Sequence, residues 1–200
     1  MHVLILVDIQ NDFLPGGALA VPKGDEVVDV ANRLIGQFPL VVATQDWHPA
    51  DHWSFSSQHS ARSVGDVIEL DGLEQILWPD HCVANSTGAG FAPGLDSHKI
   101  HQVFRKGTER QIDSYSGFFD NGHRKATGLG ESLRARQVTD VSVLGLATDY
   151  CVKFTALDAC ELGFRVHLIE DGCRGVNLQP HDVSRAIEHM RSAGVDITTS

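Results

Sequence analysis

The sequence has no cluster of lysine and arginine, no C-x-x-C pair and no apolar run long enough to span a bilayer. Its 16 basic residues are outnumbered by 26 acidic ones, for a formal net charge of -10. An acidic chain without a basic patch is a poor match for a phosphate backbone or an anionic membrane, so neither is an expected partner. The N-terminal apolar run, Val3–Val7, has no basic stretch before it and no small-residue cleavage site after it. It is too short for a signal peptide, and Asp8 closes it. The four cysteines (Cys82, Cys151, Cys160 and Cys173) lie far apart, which fits free thiols in a reducing compartment. The expected location is the cytoplasm.

What is present reads as one globular domain over residues 1–200, with 42% hydrophobic and 21% charged residues. Short, nearly continuous β-branched runs recur at Val3–Val7, Leu40–Thr44, Ile100–Phe104, Val141–Leu146, Arg165–Ile169 and Val195–Thr199. Continuous rather than alternating apolar runs belong to strands buried on both faces. Helical spacing separates them at Asp25–Phe38, Tyr150–Leu162 and Asp182–Ala193, the last two stopping at Gly163 and Gly194. Alternating strands and helices predict an α/β fold with a mostly parallel, six-stranded sheet. Two segments break the rhythm, near residues 47–94 and 106–130, and are expected to be irregular insertions that carry function.

Ligands of open parallel sheets bind beyond the carboxyl ends of the strands. Asp8 ends the first strand there, Asp46 and His48 follow the second, and Lys106 ends the third. Cys151 follows the fourth, at the start of a helix. An Asp after a strand is commonly a turn cap, and a Lys there commonly a solvated charge. The convergence of carboxylate, imidazole, ammonium and thiol on one rim favours a reactive site. Cys151 is expected in the first helical turn, where the dipole and free N–H groups favour a thiolate, with Thr148 as N-cap and Asp149 beside it. Cys160 and Cys173 read as small buried hydrophobes, Cys173 in a loop after the fifth strand. A nucleophilic thiol needs a base and an oxyanion pocket. Asp8 can be the base, Lys106 the charge partner, and the N–H groups around Ala147 and Cys151 the pocket.

Asp46-x-His48 puts two side chains on one side of an extended segment, with His52 close behind and His81 later. Carboxylate and imidazole together suit zinc, iron or manganese. No H-E-x-x-H occurs, and 11 histidines allow chance clustering, so spacing alone leaves the metal open.

These residues resemble the nicotinamidase branch of the isochorismatase-like cysteine hydrolases. The likeness runs through Val7-Asp8-Ile9-Gln10-Asn11-Asp12-Phe13, Gln45-Asp46-Trp47-His48-Pro49 and Trp78-Pro79-Asp80-His81-Cys82-Val83. It continues in Lys106-Gly107, Asp113-Ser114-Tyr115-Ser116-Gly117-Phe118 and Gly145-Leu146-Ala147-Thr148-Asp149-Tyr150-Cys151-Val152. The resemblance implies a three-layer α/β/α domain and a triad of Asp8, Lys106 and Cys151. It implies one divalent ion, zinc ahead of iron or manganese, on Asp46, His48 and His81. His52 falls only loosely on a fourth ligand position, which other members replace, often by water. A cis peptide before Ala147 would bring its N–H beside that of Cys151 as the oxyanion hole. Phe13, Leu19, Trp78 and Tyr115 match positions that wall the ring pocket, and Tyr150 stands where the family varies. Gly117 departs from a more frequent alanine, a change expected to leave the chemistry intact.

The implied reaction is hydrolysis of nicotinamide, and of pyrazinamide, through a thioester on Cys151, in NAD salvage. A homo-oligomer stays open. The alternatives are another small-amide hydrolase of the same superfamily and a metal-binding thiol sensor without turnover. Release of ammonia from nicotinamide separates the sensor from an enzyme.

Overall fold

A computed structural model describes residues 1–200. Its centre is strand β1 (His2–Val7), followed by α1 (Glu26–Ile35) and β2 (Leu40–Asp46). A hairpin, β3 (Val67–Leu70) and β4 (Leu73–Ile76), precedes β5 (Gln102–Lys106) and α2 (Leu129–Ala135). The chain closes with β6 (Asp140–Leu146), a π-turn at Thr148–Val152, α3 (Lys153–Glu161), β7 (Arg165–Arg174), α4 (Asp182–Ser192) and β8 (Asp196–Thr198). Six strands form one sheet in the order β5-β2-β1-β6-β7-β8, every neighbouring pair parallel. All seven residues of β2 and five of the six in β1 are buried, which is why the sequence reads there as unbroken apolar runs.

The order reverses direction between β1 and β6. The β1-α1-β2 and β6-α3-β7 units leave that point in opposite directions. Right-handed crossovers therefore place α1 and α3 on opposite faces of the sheet. Asp8 leaves the end of β1 and the Cys151 turn leaves the end of β6, so they flank the switch point where open α/β sheets bind ligands. No helix is long and apolar enough to cross a membrane.

The expected elements return with modest shifts. The third strand starts two residues later than its apolar run and reaches Lys106 itself. Cys173 lies within β7 and not in a loop, because that strand continues past an irregularity in its pairing with β6 through to Arg174. The insertion at 47–94 is not wholly irregular. Asp71-Gly72 turns with both φ values positive (50° and 79°), the two-residue geometry that joins β3 to β4. The second insertion gives way to α2 at Leu129, a seven-residue helix with only Leu129 and Leu133 buried.

Candidate active site

The ends of β1, β5 and β6 bring Asp8, Lys106 and Cys151 together in the interior, at 0%, 2% and 7% exposure. An ammonium offers three protons. Lys106 Nζ directs them to Asp46 Oδ1 (2.5 Å), the Ser114 carbonyl (2.8 Å) and Cys151 Sγ (3.3 Å). It also stands 2.8 Å from Asp8 Oδ2, a buried ion pair. A carboxylate oxygen of Asp8 and the Cys151 sulfur belong to a group whose members lie within 4.8 Å of one another. A buried carboxylate paired with an ammonium thus lies beside a thiol.

Burial raises the Asp8 carboxyl to about 6, against the pull of Lys106. Burial also pushes the Cys151 thiol well above its usual value; Lys106 opposes this, while Asp8 and Asp46 add to it. Two carboxylates and the loss of solvent thus oppose ionisation of Cys151 where it stands, and Lys106 favours it. The turn carrying it is also not an ordinary helix start. Thr148 makes no capping bond, and Cys151 sits in a π-turn whose Tyr150 and Val152 N–H groups both donate to the Ala147 carbonyl (3.1 Å each). The Leu146–Ala147 peptide is cis. Asp149 fastens a different element, accepting from the Val176 (3.0 Å) and Asn177 (2.6 Å) N–H groups just past β7.

Asp46, His48 and His81 form a second buried group, their candidate ligand atoms mutually within 4.8 Å. His48 Nδ1 donates to the Gly107 carbonyl (2.9 Å) and His81 Nδ1 to that of Pro79 (2.7 Å). In the neutral rings both Nε2 lone pairs then face Asp46 Oδ2, at 3.6 and 3.9 Å. His48 Nε2 is buried with no hydrogen-bond partner at all. An orphaned imidazole nitrogen beside a carboxylate is the donor set a divalent cation needs, and these three residues fit one. Gly107 is required here: a Cβ would meet the His48 ring at 2.3 Å, and its φ is +63°. His52 lies against His48, ring centroids 4.4 Å apart, but its nitrogens face Ser54 Oγ (2.7 Å) and the Ile112 carbonyl (3.3 Å). It groups with His48 and Asp113 rather than with the Asp46 triplet.

Between thiol and imidazoles is a cavity of about 310 Å³, counting its open mouth. Leu19, Trp78, Tyr115 and Tyr150 wall it, with Asp46, His81 and Cys151 at its floor. Phe13 is not on the wall; it packs behind the His81 ring, centroids 5.6 Å apart. Trp78 Nε1 donates to the Tyr115 hydroxyl (3.2 Å), and Tyr150 meets both rings. A larger cavity, about 970 Å³ on the same measure, shares Tyr115 and Tyr150 but contains no cysteine. The sequence reading gave no role to Val176, Asp113 or Thr44. Val176 and Asp113 line the cavity, and Thr44 bonds Asp8. Asp113 stood in a quoted motif; Val176 carried no signal. All four cysteines are free; Cys160 is half-buried rather than part of the core.

Residues 2–200 match the model of the Isochorismatase domain, and the chain belongs to that family of α/β hydrolases. Within it, the chain is similar to the nicotinamidase of Escherichia coli K12, 54% identical over 99% of this chain and 94% of that one. A solved Acinetobacter baumannii nicotinamidase/pyrazinamidase is 42% identical, with a TM-score of 0.96 over 99% of this chain and 95% of its own. The pyrazinamidase of Pyrococcus horikoshii, solved in complex with zinc, is 37% identical. Its TM-score is 0.79 over 100% of this chain and 99% of its own.

Proposed function

We propose that the protein hydrolyses nicotinamide to nicotinate and ammonia, with Cys151 as nucleophile. The observation that carries this is the buried Cys151–Asp8–Lys106 cluster at a cavity walled by Leu19, Trp78, Tyr115 and Tyr150. The nicotinamidase activity named for the relatives supplies the substrate. Pyrazinamide offers the same carboxamide on a similar ring.

Asp46, His48 and His81 would hold a divalent ion, zinc by analogy with the Pyrococcus protein, which supplies a Lewis acid for the ring nitrogen. Trp78, Tyr115, Tyr150 and Leu19 would wall the ring, with its carboxamide toward the thiol. Asp8 Oδ2 takes the Cys151 proton, and the sulfur attacks the carboxamide carbon. The carbonyl electron pair moves to oxygen, which the Ala147 and Cys151 backbone N–H groups receive. Collapse breaks the C–N bond, and Asp8 gives its proton to the departing ammonia. Water loses a proton to Asp8 and attacks the thioester. The C–S bond then breaks, and Asp8 returns the proton to sulfur. Lys106 stays charged throughout, matching the thiolate that appears in each half-reaction. His52 holds the loop behind the ion rather than adding a ligand. Cytoplasmic location, a small-molecule partner without nucleic acid or membrane, and NAD salvage complete the reading, with any homo-oligomer built on the same single domain.

The test is ammonia release from nicotinamide by the metal-loaded protein, compared with its Cys151→Ala variant. Release by wild type alone supports the reading. No release, or equal release by both, ends it.

A further inference from the structure

Asp8 has two carboxylate oxygens, and the proposed chemistry uses one. Oδ2 pairs with the Lys106 ammonium at 2.8 Å, on the side of the cluster that holds Cys151. Oδ1 is occupied differently: the Thr44 hydroxyl donates to it at 2.6 Å. The same hydroxyl accepts the Asp8 backbone N–H at 3.2 Å. One hydroxyl on the neighbouring strand therefore holds both the backbone and the side chain of Asp8. The grip matters because Asp8 has φ +47°, in the left-handed region that non-glycine residues avoid. Thr44 is itself fully buried in β2, with no water to compete.

What holds the hydroxyl is on the page as well. A threonine's Oγ1 and methyl turn together about one bond, so fixing the methyl fixes the donor. Gly117 lies against that methyl: a Cβ at Gly117 would come within 2.6 Å of Thr44 Cγ2, closer than such atoms approach. The Gly117 N–H is anchored to Thr155 Oγ1 (2.8 Å) on α3, and its carbonyl accepts from the Thr127 hydroxyl (2.6 Å). The loop cannot easily retreat. An added methyl at 117 would be relieved by turning Thr44, which swings the hydroxyl away from Asp8.

We infer that Thr44 is a positioning residue for the reaction, and that Gly117 sets its rotamer. Thr44 claims one oxygen of Asp8 so that the other is presented to the Cys151 proton. The inference rests on the reading of Asp8 as the proton-transfer group. It alters the expectation that glycine at 117 is without consequence: in this chain Gly117 and Thr44 form a pair.

The experiment compares Thr44→Val, Thr44→Ser, Gly117→Ala and the double variant Thr44→Ser/Gly117→Ala in the metal-loaded protein. Nicotinamide turnover and the rate of Cys151 alkylation by iodoacetamide are both measured. Valine keeps the shape and loses the donor, so kcat should fall about 10–100-fold, since misplacing a reacting group costs that order. KM should stay within about threefold, because Thr44 does not touch the ring. Alkylation should slow in parallel. Serine keeps the hydroxyl and should retain most of the activity. Gly117→Ala should behave like Thr44→Val, and combining it with Thr44→Ser, which removes the clashing methyl, should restore turnover.

Near-normal kcat and alkylation in Thr44→Val would overturn the proposal. So would equal losses in the Val and Ser variants, or a Gly117→Ala defect that Thr44→Ser fails to relieve. Alkylation needs no nicotinamide, so it judges Thr44 even where the substrate assignment fails. Absent turnover in wild type would count against that assignment alone.

Discussion

Lys106 donates a hydrogen bond to Cys151 across 3.3 Å while its charge stands 2.8 Å from Asp8. One buried ammonium thus touches both ends of the proposed proton transfer, and moving the proton from sulfur to Asp8 leaves it beside an anion in either state. Cys151→Ala should remove amide hydrolysis to background and leave the unfolding midpoint nearly unchanged, as the thiol opens on the cavity. Activity assay and thermal melt on the same sample check this. Cys160→Ala, at a half-buried position far from the cavity, should leave turnover intact.

Asp8→Asn keeps the shape and cannot accept a proton. General-base removal usually costs about 10²–10⁴-fold, and here one carboxylate serves thiol, leaving group and water. The loss in kcat should reach or pass the upper end of that range, with ring affinity by equilibrium binding retained. Near-normal turnover would mean that another base acts.

The pH profile should show Asp8 directly. The active free enzyme needs its carboxylate ionised, and burial raises that group to about 6. Below that pH it is protonated and cannot take the thiol proton, so kcat/KM should fall about tenfold per pH unit on the acid side. The fall should begin near pH 6. An acid limb placed near pH 4 would mean that burial does not govern this group.

Lys106→Met should cost stability as well as activity. It leaves Asp8 and Asp46 buried without their cation, and breaking one partner of a buried pair typically costs about 3–5 kcal/mol. Urea denaturation at neutral pH reads the loss. A destabilisation below about 1 kcal/mol would place the pair in the weak, solvated class.

Stripping the ion with a chelator should raise KM for nicotinamide and leave alkylation of Cys151 in place. Asp46 and His81 line the cavity and group with His48, whereas the thiol's proton goes to Asp8 in the proposed reaction. A thioester trapped on Cys151 during turnover would agree. Turnover that survives loss of the thiol would transfer the chemistry to a metal-bound hydroxide.

The parallel sheet was legible because strands buried on both faces leave unbroken β-branched runs, and the reactive side chains follow from where those runs end. Asp8, Asp46, Lys106 and Cys151 needed no more than that. The hairpin was legible in principle: Asp71-Gly72 is a turn signal, but the strands it joins are short and half-exposed, so their pattern is faint. Helix α2 has seven residues, one of them Gly130, and buries only two, too little for a period to emerge. The turn that carries Cys151 is visible in sequence, but the desolvation that pushes its thiol up is not. His52 shows the same limit. Its spacing suits a ligand, while the direction of its nitrogens is decided by Ser54 and Ile112.

The carboxylate of Asp149 has a consequence for how such a pocket can change. It binds the backbone of Val176 and Asn177 from the turn that carries the nucleophile, so the wall facing Cys151 is fastened to the nucleophile's own support. Wall and thiol are thereby tied through one carboxylate, while the Val176 side chain itself lines the cavity. New ring specificities can be sampled at that position by enlarging or trimming a single aliphatic group. The distance between sulfur and pocket backbone, which the chemistry depends on, is carried through unchanged.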